Sequence, residues 1–260
     1  MKFAITGKGG VGKTTLTALM AQQYADMGRQ VLAVDADPSP CLAGALGFPA
    51  ELRDLLHPIS EMDELIEERT GAKPGMVGGY FTLNPRVDDI PERFSICHRN
   101  VRLLEMGSVD MGGSGCICPE GAMLKTLFTH LLFRKDEILL LDMYAGVEHL
   151  GRATVDFVDA MIVVVEPTRR SLGTAAQIKK LANDIGLSRL FLVGNKIREE
   201  EEKTFLENET PGIPLLGFLP ADLSVQEADR LGIPVFDHVP ALKESVKLMV
   251  EKIEKMVFVR

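Results

Sequence analysis

Lysine, threonine and glycine are gathered in one run near the start of the chain, Gly7-Lys8-Gly9-Gly10-Val11-Gly12-Lys13-Thr14-Thr15. The run satisfies two patterns. Gly7, Gly9 and Gly12 read as G-x-G-x-x-G, a dinucleotide fingerprint, with acidic residues roughly 20 positions on. The same residues read as G-x-x-x-x-G-K-[ST], a phosphate loop. Chemistry separates the two. A dinucleotide pyrophosphate needs close backbone approach and has no use for a lysine and a hydroxyl at the helix start. A nucleoside triphosphate uses both: Lys13 as a cation for the β and γ phosphates, and Thr14 as a hydroxyl for Mg²⁺. Backbone N–H groups from Gly9 to Thr15 would converge on the phosphates, aided by the positive end of the following helix. Lys8 is outside the requirement. It is either a solvated surface lysine or one that reaches the phosphate of a nucleotide held by a partner subunit.

Carboxylates stand at the ends of later strands. Asp35 and Asp37 close an apolar segment, where a doubly wound fold opens its ligand crevice. Acids beside phosphate act through a metal or a water; the alternative is a pair of turn-forming aspartates. Leu139-Leu140-Leu141-Asp142 is a buried strand ending in an acid, so Asp142 is expected to hold Mg²⁺ through a water. Cys116-Ile117-Cys118-Pro119 precedes a helix, whose dipole favours the thiolate form that binds metal. Two thiolates are too few for a closed site. Two chains around a two-fold axis would supply four, suiting Zn²⁺ or Ni²⁺. Inert buried or redox cysteines are the other readings.

These residues need a frame. Apolar runs at 2–6, 31–35, 101–106, 137–142, 160–166, 189–194 and 214–219 do not alternate, as expected of parallel strands buried on both faces. Helical patterns lie between them at 13–27, 120–133, 172–185, 225–231 and 240–256. The alternation implies right-handed crossovers and an α/β doubly wound, mostly parallel sheet. Residues 1–260 read as one domain, with an irregular insertion at about 47–100. The run Glu199–Glu202 reads as a solvated helix start.

Composition narrows the class. Hydrophobic residues make up 46% and charged residues 25%, which suits a globular core and excludes disorder. The net charge of −8 argues against coating nucleic acid. Four cysteines are too sparse for a disulfide scaffold. No apolar run is long enough to span a bilayer, and no signal peptide is visible. A cytoplasmic protein with reduced thiols is expected.

Lys8 to Thr14 spell K-G-G-x-G-K-[ST]. In this the chain resembles the deviant Walker A ATPases of MinD, ParA and nitrogenase iron-protein type. The resemblance implies ATP hydrolysis to ADP and phosphate, and a nucleotide-sandwich homodimer in which Lys8 contacts phosphate across the interface. It makes Asp37 the residue that orients the attacking water or the Mg²⁺ shell, with Asp35 its companion. Asp142-Met-Tyr-Ala-Gly146-Val-Glu148 resembles the family's D-x-x-A-G-x-E stretch, so Gly146 would present its N–H to the γ phosphate. The resemblance extends to Asn195, as a hydrogen-bond partner of adenine or an asparagine capping a strand end. It also covers Leu219-Pro220-Ala221-Asp222, as a base-side loop.

The cysteine pair resembles that of the CooC-type maturation factors of nickel carbon monoxide dehydrogenase and acetyl-CoA synthase. That implies a nickel-enzyme client and ATP-coupled nickel insertion. Tyr144 departs from the acidic residue expected there. An electron-transfer ATPase like the nitrogenase iron protein is the alternative, but its cluster needs a cysteine after the Asp142 strand, and none is present there. A MinD-like positioning ATPase needs a C-terminal membrane helix; residues 250–260 read instead as the last packed helix, and no membrane partner is expected. Cys41 and Cys97 are read as structural, and His98 and His149 as ordinary polar groups.

Overall fold

The computed structural model describes residues 1–76, 80–107, 118–133, 137–144 and 158–258. In chain order the first elements are β1 (Lys2–Gly7), α1 (Lys13–Asp26), β2 (Val31–Ala36), α2 (Leu42–Ala45), α3 (Ala50–Arg53), α4 (Asp63–Thr70) and α5 (Ile90–Phe94). Then come β3 (Ile96–His98), β4 (Val101–Glu105), α6 (Pro119–Phe133), β5 (Ile138–Met143), β6 (Ala160–Val165) and α7 (Arg169–Ile185). The chain closes with β7 (Leu190–Ile197), α8 (Glu200–Glu209), β8 (Leu215–Pro220), α9 (Ser224–Leu231), α10 (Val235–His238) and α11 (Pro240–Phe258).

Among the described residues, eight strands form one sheet in the order β3-β4-β2-β5-β1-β6-β7-β8. Every pairing is parallel except β3 with β4. The inner strands β1, β2, β5 and β6 are buried on both faces, which is why their sequences are apolar without alternation. Phe3 and Ile5 turn to one face and join a core with α1 and α11; Ala4, Leu32 and Val34 turn to the other and join α6 and α7. Val246, Val250, Ile253 and Val257 form the inward stripe of α11, at helical spacing. The C-terminal segment therefore packs as a helix on the core, as its sequence suggests. No helix among the described residues is long and apolar enough to cross a membrane.

The sheet is mostly parallel, as its sequence suggests, and the antiparallel edge strand β3 is an addition to the seven strands expected. It is only three residues long and half exposed. It returns to β4 through Arg99 and Asn100, both at positive φ of 50° and 63°, the left-handed pair that a two-residue hairpin requires. The rest of the 47–100 stretch carries short helices. Ile59, Ile66 and Ile90 bury themselves against α6, and Asp89 joins Arg69 at 2.8 Å to Arg93 at 2.9 Å.

Parallel strands bring their C-terminal ends to one rim. Gly7, Asp37, Asp142, Asn195 and Pro220 lie within two residues of the C-terminal ends of β1, β2, β5, β7 and β8. The chain leaves β1 toward β2 on one side and later passes from β5 to β6 on the other side of β1, so the strand order reverses there and the crevice opens at the middle of the sheet. In register, Asp35 lies opposite both Glu105 and Asp142, which sets three acids in a row across β4, β2 and β5.

Candidate nucleotide site

The loop between β1 and α1 begins with a tight approach. A Cβ on Gly7 would stand 2.4 Å from the Val164 carbonyl oxygen on β6, so no larger residue fits there. Val11 is buried and pins the loop, whereas Lys8, Gly9 and Gly10 face solvent. Gly12 is left-handed, at φ 97°, and starts α1 with no side-chain cap and no acidic residue in the first turn. The first N–H groups of a helix have no intrahelical acceptor. Gly12 offers no side chain to cap them, and the positive end of α1 is open to an anion. Lys13, in the first turn, is buried to 8% exposure; Thr14 and Thr15 are half-buried beside it.

Asn195 reaches the phosphate loop. Its Nδ2 donates to the Val11 carbonyl at 2.7 Å, and its Oδ1 accepts from the Lys196 N–H at 2.8 Å. Both ends of the side chain engage backbone, so in this structure Asn195 braces the phosphate loop from the end of β7, with one N–H and one lone pair left over. Lys196 is a site residue that sequence reasoning does not single out. Its Nζ reaches the Gly10 carbonyl at 2.7 Å and Glu166 Oε1 at 2.5 Å. The available signal is the Asn195-Lys196 pair at a strand end.

The two first aspartates divide their work. Asp35 is fully buried. Its Oδ1 accepts from the Asp37 N–H at 3.1 Å, and its Oδ2 from Cys41 and Leu42 N–H at 2.9 Å each. It therefore shapes the turn that carries Asp37, which fits the turn-forming alternative. Burial outweighs these three bonds, and its carboxyl is pushed above the ordinary range. Asp37 is half-buried, and its Oδ1 caps the Ser39 N–H at 2.9 Å.

Asp142 lies at the end of β5 with 1% exposure. Among the described residues neither carboxylate oxygen has a partner in full hydrogen-bond geometry, although the Thr14 hydroxyl and Lys13 are close enough to favour its charge. Burial, with Asp35 and Asp37 nearby, wins: the carboxyl is pushed up to about 7. Glu105 is the acid that sequence reading passes over. Burial, then Asp35 and Glu61, raise it to about 7 as well. A hard divalent cation with oxygen ligands would satisfy the orphaned oxygens of Asp142 next to a threonine hydroxyl. The residues present fit Mg²⁺.

On the far side, Ala221 N–H donates to Ile197 O at 2.8 Å and ties the ends of β7 and β8 together. Pro220 closes β8, and Asp222 Oδ1 accepts from Ser224 N–H at 2.8 Å in the turn before α9, which lowers its pKa.

Of the residues singled out from the sequence, only some fall in the described regions. Gly146, Glu148, His149 and Cys116 lie outside the described residues. Cys118 is half-buried immediately before α6, and a Cβ on Gly121 would stand 3.1 Å from its Sγ. The sulfur thus folds over the first turn of α6, where the helix dipole favours a thiolate. Cys41 and Cys97 are exposed rather than set in the core. Burial and the carboxylates of Asp35, Asp37 and Asp142 push the Cys41 thiol up, which disfavours its thiolate. His98 packs on Phe48 with ring centroids 5.3 Å apart. Tyr144 is exposed. Among the described residues no group of three or more metal-ligating side chains occurs.

Residues 2–235 match the family model described as the CobQ/CobB/MinD/ParA nucleotide binding domain. The chain belongs to this family. It is 45% identical to the carbon monoxide dehydrogenase accessory protein CooC of Rhodospirillum rubrum, covering 98% of this chain and 97% of that protein. It is 44% identical to an uncharacterized ATP-binding protein of Methanocaldococcus jannaschii, covering 95% of this chain and 96% of that one. The cell division protein MinD of Aquifex aeolicus shares the fold with a TM-score of 0.70 at 20% identity, over 98% of this chain and 96% of that structure. The family match accounts for the glycine-rich loop on the central strand, with acids on the strands beside it.

Proposed function

We propose that this chain is an ATP-hydrolysing accessory factor that supplies nickel to an enzyme of the carbon monoxide dehydrogenase or acetyl-CoA synthase type. The observation that carries this reading is the near full-length similarity to CooC in a chain that also holds Cys116 and Cys118. The working unit is a homodimer of one nucleotide-binding domain per chain, residues 1–260, acting in the cytoplasm without nucleic acid or membrane.

Each residue then has a task. Backbone N–H groups of Gly9 to Thr15 cradle the phosphates of ATP or ADP, and Lys13 neutralises them from the first turn of α1. Lys8, exposed on the loop, reaches the nucleotide of the partner subunit. Thr14, Asp142 and Asp37 would hold Mg²⁺, the two acids through water. Mg²⁺ supplies positive charge to the β and γ phosphates when bound. Asp37 orients the attacking water on a turn that Asp35 holds. Gly146 donates its N–H to the γ phosphate and releases its loop when that phosphate leaves. Pro220 and Asp222 stand at the base side. Cys116 and Cys118 give two thiolates per chain and four per dimer, a set that takes Ni²⁺ or Zn²⁺ as cargo.

The test is elemental analysis of anaerobically purified protein, with and without ATP, together with dimer mass. About one Ni²⁺ or Zn²⁺ per dimer is expected. The Cys116→Ala/Cys118→Ala protein should lose that metal and keep nucleotide binding. Full metal retention in the double variant overturns the cysteine site. Iron with acid-labile sulfide in its place would favour an electron-transfer protein.

A further inference from the structure

Lys196 is a non-glycine residue at φ 60°, a left-handed conformation that L side chains enter at a cost. Three hydrogen bonds hold it there. Its N–H donates to Asn195 Oδ1 at 2.8 Å, and its Nζ donates to the Gly10 carbonyl at 2.7 Å and to Glu166 Oε1 at 2.5 Å. The lysine side chain is 49% exposed and the glutamate 30%. Water is at hand, yet the ammonium spans from β7 to the phosphate loop. Glu166 is itself anchored, because its N–H donates at 3.1 Å to Oγ of Ser171, a buried residue of α7.

The acceptors identify the purpose. A loop that cradles an anion must turn N–H groups inward and carbonyls outward. In a planar trans peptide the carbonyl and the following N–H point in opposite directions. Lys196 Nζ draws the Gly10 carbonyl outward and so orients the Val11 N–H. Asn195 Nδ2 draws the Val11 carbonyl at 2.7 Å and so orients the Gly12 N–H. Two consecutive peptide planes are thereby fixed by two consecutive residues of β7. The Val11 N–H makes only a long bond of 3.4 Å to Lys8 O, so little of the protein's own competes for it. Glu166 balances the ammonium, which makes Lys196 a support for the loop rather than a further phosphate cation.

We propose that Lys196 and Glu166 form a clamp that preorganises the phosphate loop before nucleotide arrives, with both acting as positioning residues. The proposal rests on the reading of this crevice as a nucleotide site. With the clamp broken, the loop must order as it binds, and affinity falls by that cost. Chemistry at saturating nucleotide is largely unaffected.

The experiment measures ATP and ADP dissociation constants, and KM and kcat for hydrolysis, in full-length wild type, Lys196→Met, Lys196→Arg and Glu166→Gln. Lys196→Met should weaken ADP and ATP binding about tenfold, the scale of one lost charge-assisted hydrogen bond. Its KM should rise in step, with kcat within about twofold. Lys196→Arg should recover affinity to within about threefold of wild type, and Glu166→Gln should fall between. Circular dichroism and an unchanged melting temperature establish that Lys196→Met is folded; should it not fold, Glu166→Gln carries the same KM-against-kcat test. Wild type that binds no adenine nucleotide overturns the site reading. Wild type that binds, with Lys196→Met or Glu166→Gln unchanged in affinity, overturns the clamp alone. A fall in kcat at unchanged KM does so too.

Discussion

A Cβ placed on Gly12 would stand 2.1 Å from Nδ2 of Asn195. Gly12 is also left-handed, at φ 97°, so any side chain there meets both a steric and a conformational barrier. Gly12→Ala is expected to push Asn195 off the Val11 carbonyl and to spoil the cradle. Adenine-nucleotide affinity should drop by about a hundredfold or more, while the eight-stranded core keeps its far-ultraviolet signature. Titration calorimetry with ADP decides: affinity within a few fold of wild type would mean that the loop tolerates the side chain.

The two loop lysines should separate. Lys13 is buried in the first turn of α1 and Lys8 is exposed on the loop. Lys13→Ala is expected to abolish nucleotide binding in the single chain. Lys8→Ala should bind ADP within about threefold of wild type, yet lose ATP-dependent dimerisation and most hydrolysis. Light scattering with ATP, beside single-chain binding curves, reads both. Normal dimerisation of Lys8→Ala would remove Lys8 from the interface.

Much of this site is legible locally. The strands are continuous apolar runs, and the phosphate loop is a contiguous motif whose residue types name their ligand. The features that escape depend on distant register. Glu105 matters because β4 sits beside β2, which places it opposite Asp35; no local pattern marks it. Asn195 stands in the sequence as a polar residue at a strand end, whereas its partner Val11 is 184 positions away. β3 escapes because three half-exposed residues carry too little periodicity, and Arg99-Asn100 lacks the glycine that usually announces a two-residue hairpin.

Asp35 and Asp37 look alike in the sequence and differ in burial. Asp35→Ala removes the acceptor of three backbone N–H groups, those of Asp37, Cys41 and Leu42. The turn carrying Asp37 should loosen. Hydrolysis is expected to slow by about tenfold or more, with nucleotide affinity within about threefold, since the cradle is on another strand. An unchanged kcat would show that Asp37 keeps its place without this tether.

Asp142 makes the protein's stability depend on pH in a defined sense. In the unfolded chain it titrates near its ordinary 3.8, and in the fold near 7. Between those values the folded state keeps a proton that the unfolded state has lost. The contribution is therefore full below about 4, declines as pH rises through 7 and is flat above. Glu105, also near 7, adds in the same direction. Metal-free protein should melt higher at pH 6 than at pH 8. Mg²⁺ with ADP should raise the melting temperature more at pH 8, where the carboxylate is already ionised. Asp142→Asn removes the buried charge. At pH 8 it should stabilise the nucleotide-free protein on the order of 2 kcal/mol, a few degrees, while ending Mg²⁺-dependent hydrolysis. Should Asp142→Asn melt below wild type at pH 8, the carboxylate would be a structural asset, and its orphaned oxygens would no longer argue for a cation.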